Sequence, residues 1–233
     1  MEAGHCPVNA MSVTEQNILP ILLIIITSYL IGSLPTAYLI AKTRNINIFE
    51  VGSGNMGGTN VARALGTEWG VLTALLDVCK GIAAIVLARL FLPDEKWGAT
   101  TISAIAVIIG HNWSLFATFL YHTAVKSKRL TIRGGKGAAT ALGTMIMIAQ
   151  PQIIIGMVAV FGVLIALTRY VSLGVLAAFT LATIWVYVLA TQHELPIEYA
   201  TYSVLLAILL LWRFRENIQR LLTGQERRLG DRV

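Results

Sequence analysis

The chain has 233 residues, of which 56% are hydrophobic and only 13% charged, and its formal net charge is +6. A soluble domain carries about 25% charged residues, so the composition excludes an ordinary soluble enzyme. Apolar runs recur along the whole chain, which also excludes a soluble core on a single anchor.

In chain order, seven apolar segments stand out, at 18–41, 69–92, 99–120, 137–150, 151–168, 171–190 and 198–213. The first is too long for a removable signal peptide and has no basic flank before it. Cys6 lies in a short polar tail and Cys79 in an apolar run, an arrangement that argues against a disulfide between them. The fourth and fifth segments are short and are separated only by Gln150-Pro151-Gln152. Fusing them into one helix would change the count of crossings.

The charges keep them apart. Lys42, Arg44, Arg63, Lys126, Lys128, Arg129, Arg133, Lys136 and six arginines after Trp212 fall in alternate connections. The other connections hold Asp94-Glu95-Lys96 and His193-Glu194. Basic loops stay in the cytoplasm, so the expected architecture is all-α and polytopic, with about seven transmembrane helices. The N-terminus is expected outside, and the C-terminus and glycine-rich loops inside. The expected division is a short outer tail (1–17), a transmembrane catalytic domain (18–213) and a basic cytoplasmic tail (214–233). The positive balance then reflects orientation and contact with membrane lipids rather than nucleic acid. No internal repeat is visible, which weakens a transporter reading.

The first basic connection contains Gly52-Ser53-Gly54-Asn55-Met56-Gly57-Gly58-Thr59-Asn60. Its G-x-G-x-x-G spacing matches a dinucleotide loop, with Glu68 or Asp77 as the distant acid, but the context required is a βαβ unit and the next element here is an apolar helix. A flexible turn is the plain alternative. Backbone N–H groups released by glycine, together with Ser53, Asn55, Thr59 and Asn60, suit an anion better, and Arg63 follows.

The third segment ends in Gly110-His111-Asn112-Trp113, where His111 is either a core residue or part of a site. Arg133-Gly134-Gly135-Lys136-Gly137 then opens the fourth segment. Cations beside glycines at a helix start suit an anion, although charge alone would serve as an anchor. Asp77 and Lys80, three apart on one helix face, are either functional or a mutual ion pair. Ser172 follows Arg169 at another inner helix end, where Arg169 could simply snorkel and Ser172 bond its own backbone. His5, His122 and His193 read as surface residues. No Cys/His cluster has metal-ligand spacing and no G-x-S-x-G elbow occurs, so neither metal nor cofactor is expected.

These polar islands carry a resemblance. Gly32-Ser33-Leu34-Pro35, GSGNMGGTNVARALG (52–66), Asp77-Val78-Cys79-Lys80-Gly81, Gly110-His111-Asn112-Trp113, GGKGAAT (134–140), RYVSLG (169–174) and ENIQRLLTGQE (216–226) are collinear. From Tyr29 to Arg228 the chain resembles the bacterial acyl-phosphate:glycerol-3-phosphate acyltransferases, multi-pass enzymes of phospholipid synthesis in the inner membrane. The resemblance implies acyl transfer from acyl phosphate to the 1-hydroxyl of glycerol 3-phosphate, giving 1-acylglycerol 3-phosphate and inorganic phosphate. It implies catalytic roles for Ser53, Arg63, Lys136 and Asn217. Substrate binding is implied for Gly52, Gly54, Asn55, Gly57, Asn60, His111, Gly134, Gly135, Gly137 and Ser172.

Three departures stand out. Phe214 occupies the histidine position of the family's Arg-His-x-x-Asn pattern, and the adjacent Arg215 points elsewhere around a helix. A basic stretch, 120–132, intervenes before the second glycine run. Met56-Gly57-Gly58 replaces the usual Pro-Gly-Ala or Val-Gly-Ala. The alternative reading is therefore a weak or inactive paralogue that binds phosphorylated lipid precursors. The sequence leaves open whether Met1 or Met11 is the start.

Overall fold

The computed structural model describes residues 13–125 and 131–230. The choice of start, Cys6, His5 and the centre of the basic stretch (126–130) lie outside the described residues. Ten helices make up the described fold: α1 Val13–Ser33, α2 Thr36–Lys42, α3 Gly58–Leu65, α4 Thr67–Phe91, α5 Lys96–Asn112, α6 Leu115–Val125, α7 Ala138–Ile148, α8 Pro151–Thr168, α9 Val171–Thr191 and α10 Glu198–Leu222. Among the described residues the nearest approach to a sheet is one isolated bridge, Ser114 to Arg133.

Among the described residues, four stretches are long and apolar enough to cross a bilayer: 18–42, 67–91, 151–168 and 171–191. Their outer faces are greasy, with Leu90 71% and Leu167 77% exposed. A soluble bundle would hide such side chains, whereas hydrocarbon solvates them.

Two expected segments are divided. The first breaks at Leu34-Pro35, because proline has no N–H to give and disfavours a helical conformation in the residue before it. The Leu34 carbonyl instead accepts from Lys80 Nζ at 3.2 Å. The third breaks after Asn112. There Ser114 Oγ accepts the Ala117 N–H at 3.0 Å, so Ser114 starts α6 as an N-cap rather than continuing α5. The same hydroxyl donates to the Ser33 carbonyl at 2.6 Å, so the two breaks are stitched together. The expected pair 137–150 and 151–168 does separate: Ala149 and Gln150 are extended, and Pro151 opens α8 at a position where its missing N–H costs nothing. The apolar segment 198–213 is the first part of α10, which runs on to Leu222.

Packing follows small residues. A Cβ on Gly81 would collide with the Thr140 carbonyl, and one on Gly143 with that of Val78, so α4 and α7 cross almost backbone to backbone. α1 lies on α5, and α9 sits between α8 and α10. Ile85, Ile108, Met145, Tyr202 and Leu206 form the main core, where Tyr202 shares a 2.8 Å hydrogen bond with Thr144.

Candidate active site

The loop between α2 and α3 is folded by its own residues. Gly52 and Gly54, at φ +62° and +64°, bracket Ser53. Asn60, buried on α3, accepts the Ser53 N–H at 2.9 Å and donates to the Val51 carbonyl at 3.0 Å. That amide folds the loop back over the start of α3, whose first N–H groups have no helical partner and carry the positive end of the dipole. Ser53, Asn55, Gly57, Gly58, Thr59 and Asn60 line the adjoining cavity, with Arg63 one turn further on. A Cβ on Gly58 would stand 2.5 Å from the Gly70 carbonyl, so small residues seat α3 directly on α4. Helices flank the loop, so the βαβ context of a dinucleotide site is absent among the described residues.

The second glycine run packs on the end of α5. The Gly135 N–H donates to the His111 carbonyl at 3.0 Å, and a Cβ on Gly135 would collide with the His111 ring. Gly137, at φ +80°, N-caps α7 and turns the chain so that Lys136 lines the cavity. Arg213 on α10 donates to the Gly135 carbonyl, and its guanidinium lies 5.2 Å from the Trp113 ring centre. The Met56 N–H reaches the Gly134 carbonyl at 3.4 Å, joining the two glycine loops.

Beneath them is a buried polar cluster. Asp77 Oδ1 accepts from Lys80 at 2.8 Å and from Thr36 at 2.6 Å, with His111 Nδ1 3.8 Å away. The Asp77–Lys80 pair is thus real and holds α2 and the Pro35 break against α4. Asp77 and His111 also reach the cavity wall.

The other polar wall is assembled from distant segments. Lys136 Nζ donates to Asn217 Oδ1. Asn217 Nδ2 donates in turn to Glu226 Oε1 at 2.6 Å. Ser172 Oγ donates to the same oxygen at 2.8 Å, and Arg220 Nε to Glu226 Oε2 at 2.8 Å. Burial above all, with the Arg220 and Arg63 charges, outweighs Glu226 and Glu216 and lowers the Lys136 ammonium to about 8. Burial pushes the Glu226 carboxyl up, but hydrogen bonds from Arg220, Asn217 and Ser172 and the Arg220 charge outweigh it, leaving it below its ordinary value. Phe214 is buried under the Lys136 ammonium, 5.2 Å from the ring centre. Arg215 is turned away, its guanidinium 5.0 Å from the Trp212 ring centre.

These walls enclose a cavity of about 720 Å³. One end is lined by Ser53, Arg63, Lys136, Ser172 and Asn217; the flank between α4, α8 and α9 is lined by Val71, Met157, Phe161, Val175 and Phe179. Asn55, Gly57, Asn60, His111 and Gly137 also reach it. Gly52, Gly54, Gly134 and Gly135 stand outside the lining and shape the loops behind it. Sequence reasoning passed over Arg220 and Glu226 as site residues, although both lie in the quoted ENIQRLLTGQE run. In the sequence Arg220 reads as one more tail charge, and the hydrogen bonds that bring Glu226 to Ser172 appear only in the folded chain. His122, expected at the surface, is half-buried and accepts the Thr131 N–H at 3.2 Å. Among the described residues, no group of three or more His, Cys, Asp or Glu is placed to hold a metal ion.

Comparison with known proteins agrees in extent and kind. The family described as glycerol-3-phosphate acyltransferase matches residues 22–224. The glycerol-3-phosphate acyltransferase of Halalkalibacterium halodurans is 40% identical over 210 residues, covering 89% of this chain and 95% of the relative. That of Thermus thermophilus is 38% identical over 210 residues, covering 90% and 95%. The crystal structure of PlsY (YgiH), an integral membrane glycerol 3-phosphate acyltransferase, in its glycerol 3-phosphate form superimposes with a TM-score of 0.75 at 33% identity. That superposition covers 90% of this chain and 96% of PlsY. With the family match running over residues 22–224 and relatives 38–40% identical covered over nearly their whole length, this chain belongs to the glycerol-3-phosphate acyltransferase family.

Proposed function

We propose that the protein transfers a fatty acyl group from acyl phosphate to the 1-hydroxyl of glycerol 3-phosphate. One observation carries this reading: a single cavity has a cationic, hydroxyl- and amide-lined end and an apolar flank. The polar end suits two phosphates, and the flank suits an acyl chain. The chain sits in the bacterial inner membrane among lipids, with the polar end facing the cytoplasm, as the distribution of Lys and Arg supports.

Acyl phosphate is a mixed anhydride and needs no further activation. The 1-hydroxyl oxygen attacks the carbonyl carbon, the bond from that carbon to the phosphate oxygen breaks, and inorganic phosphate leaves. The hydroxyl proton passes to a substrate phosphate oxygen. The protein's task is to align two anions that repel each other and to stabilise the developing oxyanion. Arg63 and Lys136 supply charge, while Ser53, the N–H groups opening α3, Ser172 and Asn217 supply donors.

Purified protein given acyl phosphate and glycerol 3-phosphate should release phosphate and form lysophosphatidic acid. Acyl-CoA and acyl-carrier protein should be poor donors, since the H-x-x-x-x-D pair of thioester-dependent acyltransferases is absent. Turnover with acyl-CoA and none with acyl phosphate would reject the reading. Phe214 favours a second reading, a lapsed enzyme that only binds phosphorylated precursors. An inert wild type alongside an active Phe214→His variant would establish it.

A further inference from the structure

Beyond α10 the chain doubles back. Gly224, at φ +68°, makes the turn, and the Gln225 N–H closes it on the Arg220 carbonyl at 2.7 Å. Glu226 is then held by Ser172, Asn217 and Arg220. Three residues on, the Leu229 N–H donates to the Arg169 carbonyl at 2.6 Å, and Arg169 Nε donates back to the Leu229 carbonyl at 3.1 Å. Arg169 is the left-handed residue that ends α8, at φ +63°. Arg228 lies over the Tyr170 ring, 5.6 Å from its centre. Residues 225–229 therefore run from α10 to the α8–α9 turn, anchored at both ends, and Arg227 and Leu229 line the cavity between the anchors.

The charges along this strap are unequal. Arg220 is ion-paired with Glu226. Arg227 is exposed to the cavity and has no acidic partner among the described residues. It also sits beside the α8–α9 side, where Phe161, Ile165 and Val175 provide apolar lining, whereas Arg63 and Ser53 approach from the α3 side. Arg227, lining the cavity with Leu229 at the start of an apolar wall, matches the junction of a phosphate with a hydrocarbon chain.

We infer that residues 225–229 form a strap along the cavity and that Arg227 on it is a binding residue for the phosphate of the acyl donor. The inference rests on the acyl-transfer reading above and adds a residue to it. Two substrate phosphates bring about three to four negative charges at neutral pH, more than Arg63 and Lys136 can offset. Arg227 supplies the missing compensation on the donor's side.

The test uses the full chain in lipid, as wild type, Arg227→Ala, Arg227→Lys and Arg215→Ala. Arg215 is a charge-matched control on α10 that faces Trp212 rather than the cavity. Initial rates are taken with acyl phosphate varied at saturating glycerol 3-phosphate, and then the reverse. Arg227→Ala should raise the KM for acyl phosphate about two- to tenfold, as loss of one partly exposed ion pair implies. Arg227→Lys should restore most of it, and kcat and the KM for glycerol 3-phosphate should hold. A wild-type KM in Arg227→Ala overturns the inference. So does an equal loss in Arg215→Ala, or a change confined to glycerol 3-phosphate or to inhibition by lysophosphatidic acid. If the wild type does not turn over, the acyl-transfer reading is what fails. Binding of acyl phosphate to the four proteins then decides the strap, and equal affinities sink it.

Discussion

The two polar walls of the cavity are built in different ways. The first comes from one continuous stretch, 51–63, in which Asn60 pins the loop and α3 presents its N-terminus and Arg63. The second is drawn from four places: Lys136, Ser172, Asn217 with Arg220, and Glu226. The first wall is largely a local fold, seated on α4 and tied to the second glycine run by the Met56 N–H. The second exists only when α7, α9, α10 and the tail are all docked, so under the proposed function it couples phosphate binding to the whole bundle.

The largest expected effect tests whether both walls bind phosphate. Lys136→Ala and Arg63→Ala each remove a cation from opposite walls, and each should cost about 2–5 kcal/mol, roughly 30- to several-thousand-fold in kcat/KM. Wild-type kinetics in both would show that the phosphate cradle is misassigned.

Glu226→Ala asks whether the second wall depends on its central carboxylate. It leaves Ser172, Asn217 and Arg220 without their shared acceptor, and should cost about 1–3 kcal/mol of stability. Thermal unfolding in lipid or detergent measures this, and Glu226→Gln should recover only part. The matching change in the first wall, Asn60→Ala, frees the Ser53 N–H and two carbonyls. It should cost about 1–2 kcal/mol, with the loss concentrated in the KM for glycerol 3-phosphate. If Asn60→Ala destabilises the fold more than Glu226→Ala does, the contrast between a local and an assembled wall is wrong.

The walls should also respond differently to pH. Lys136 is charged below about 8 and neutral above it, so substrate capture should weaken as pH rises through that value, approaching roughly tenfold per unit. Lys136→Arg should flatten the profile, because a guanidinium stays charged. For stability the sign reverses. A lysine with a lowered folded pKa penalises folding most fully below about pH 8, and the penalty fades as pH climbs toward the ordinary lysine value.

The smallest effect belongs to the residue that departs from the family pattern. Phe214→Leu keeps an apolar side chain and loses the ring under Lys136, worth about 0.5–1 kcal/mol. Its activity should stay within about fivefold of wild type. Phe214→His should raise turnover if a hydrogen-bonding group there aids the reaction.

Much of this molecule was determined by the sequence alone. Apolar runs and loop charges made it a helical membrane protein, because hydrocarbon demands internally satisfied backbone and long greasy faces. The stretch 52–63 carried its own geometry in glycines, an amide and an arginine spaced within three turns of chain. Tertiary structure decided the rest. Pro35 and Ser114 are visible as single letters, but that they break two apolar segments and stitch the breaks together required Ser33, Ser114 and Lys80 to meet. The meeting of Lys136, Ser172, Asn217 and Glu226 could not be read from spacing either. Residues 81 apart, as Lys136 and Asn217 are, share no helical or strand period. Only the tertiary fold, which brings the start of α7, the start of α9, α10 and the turn at Gly224 around one cavity, lets these charged and polar groups satisfy one another instead of standing alone.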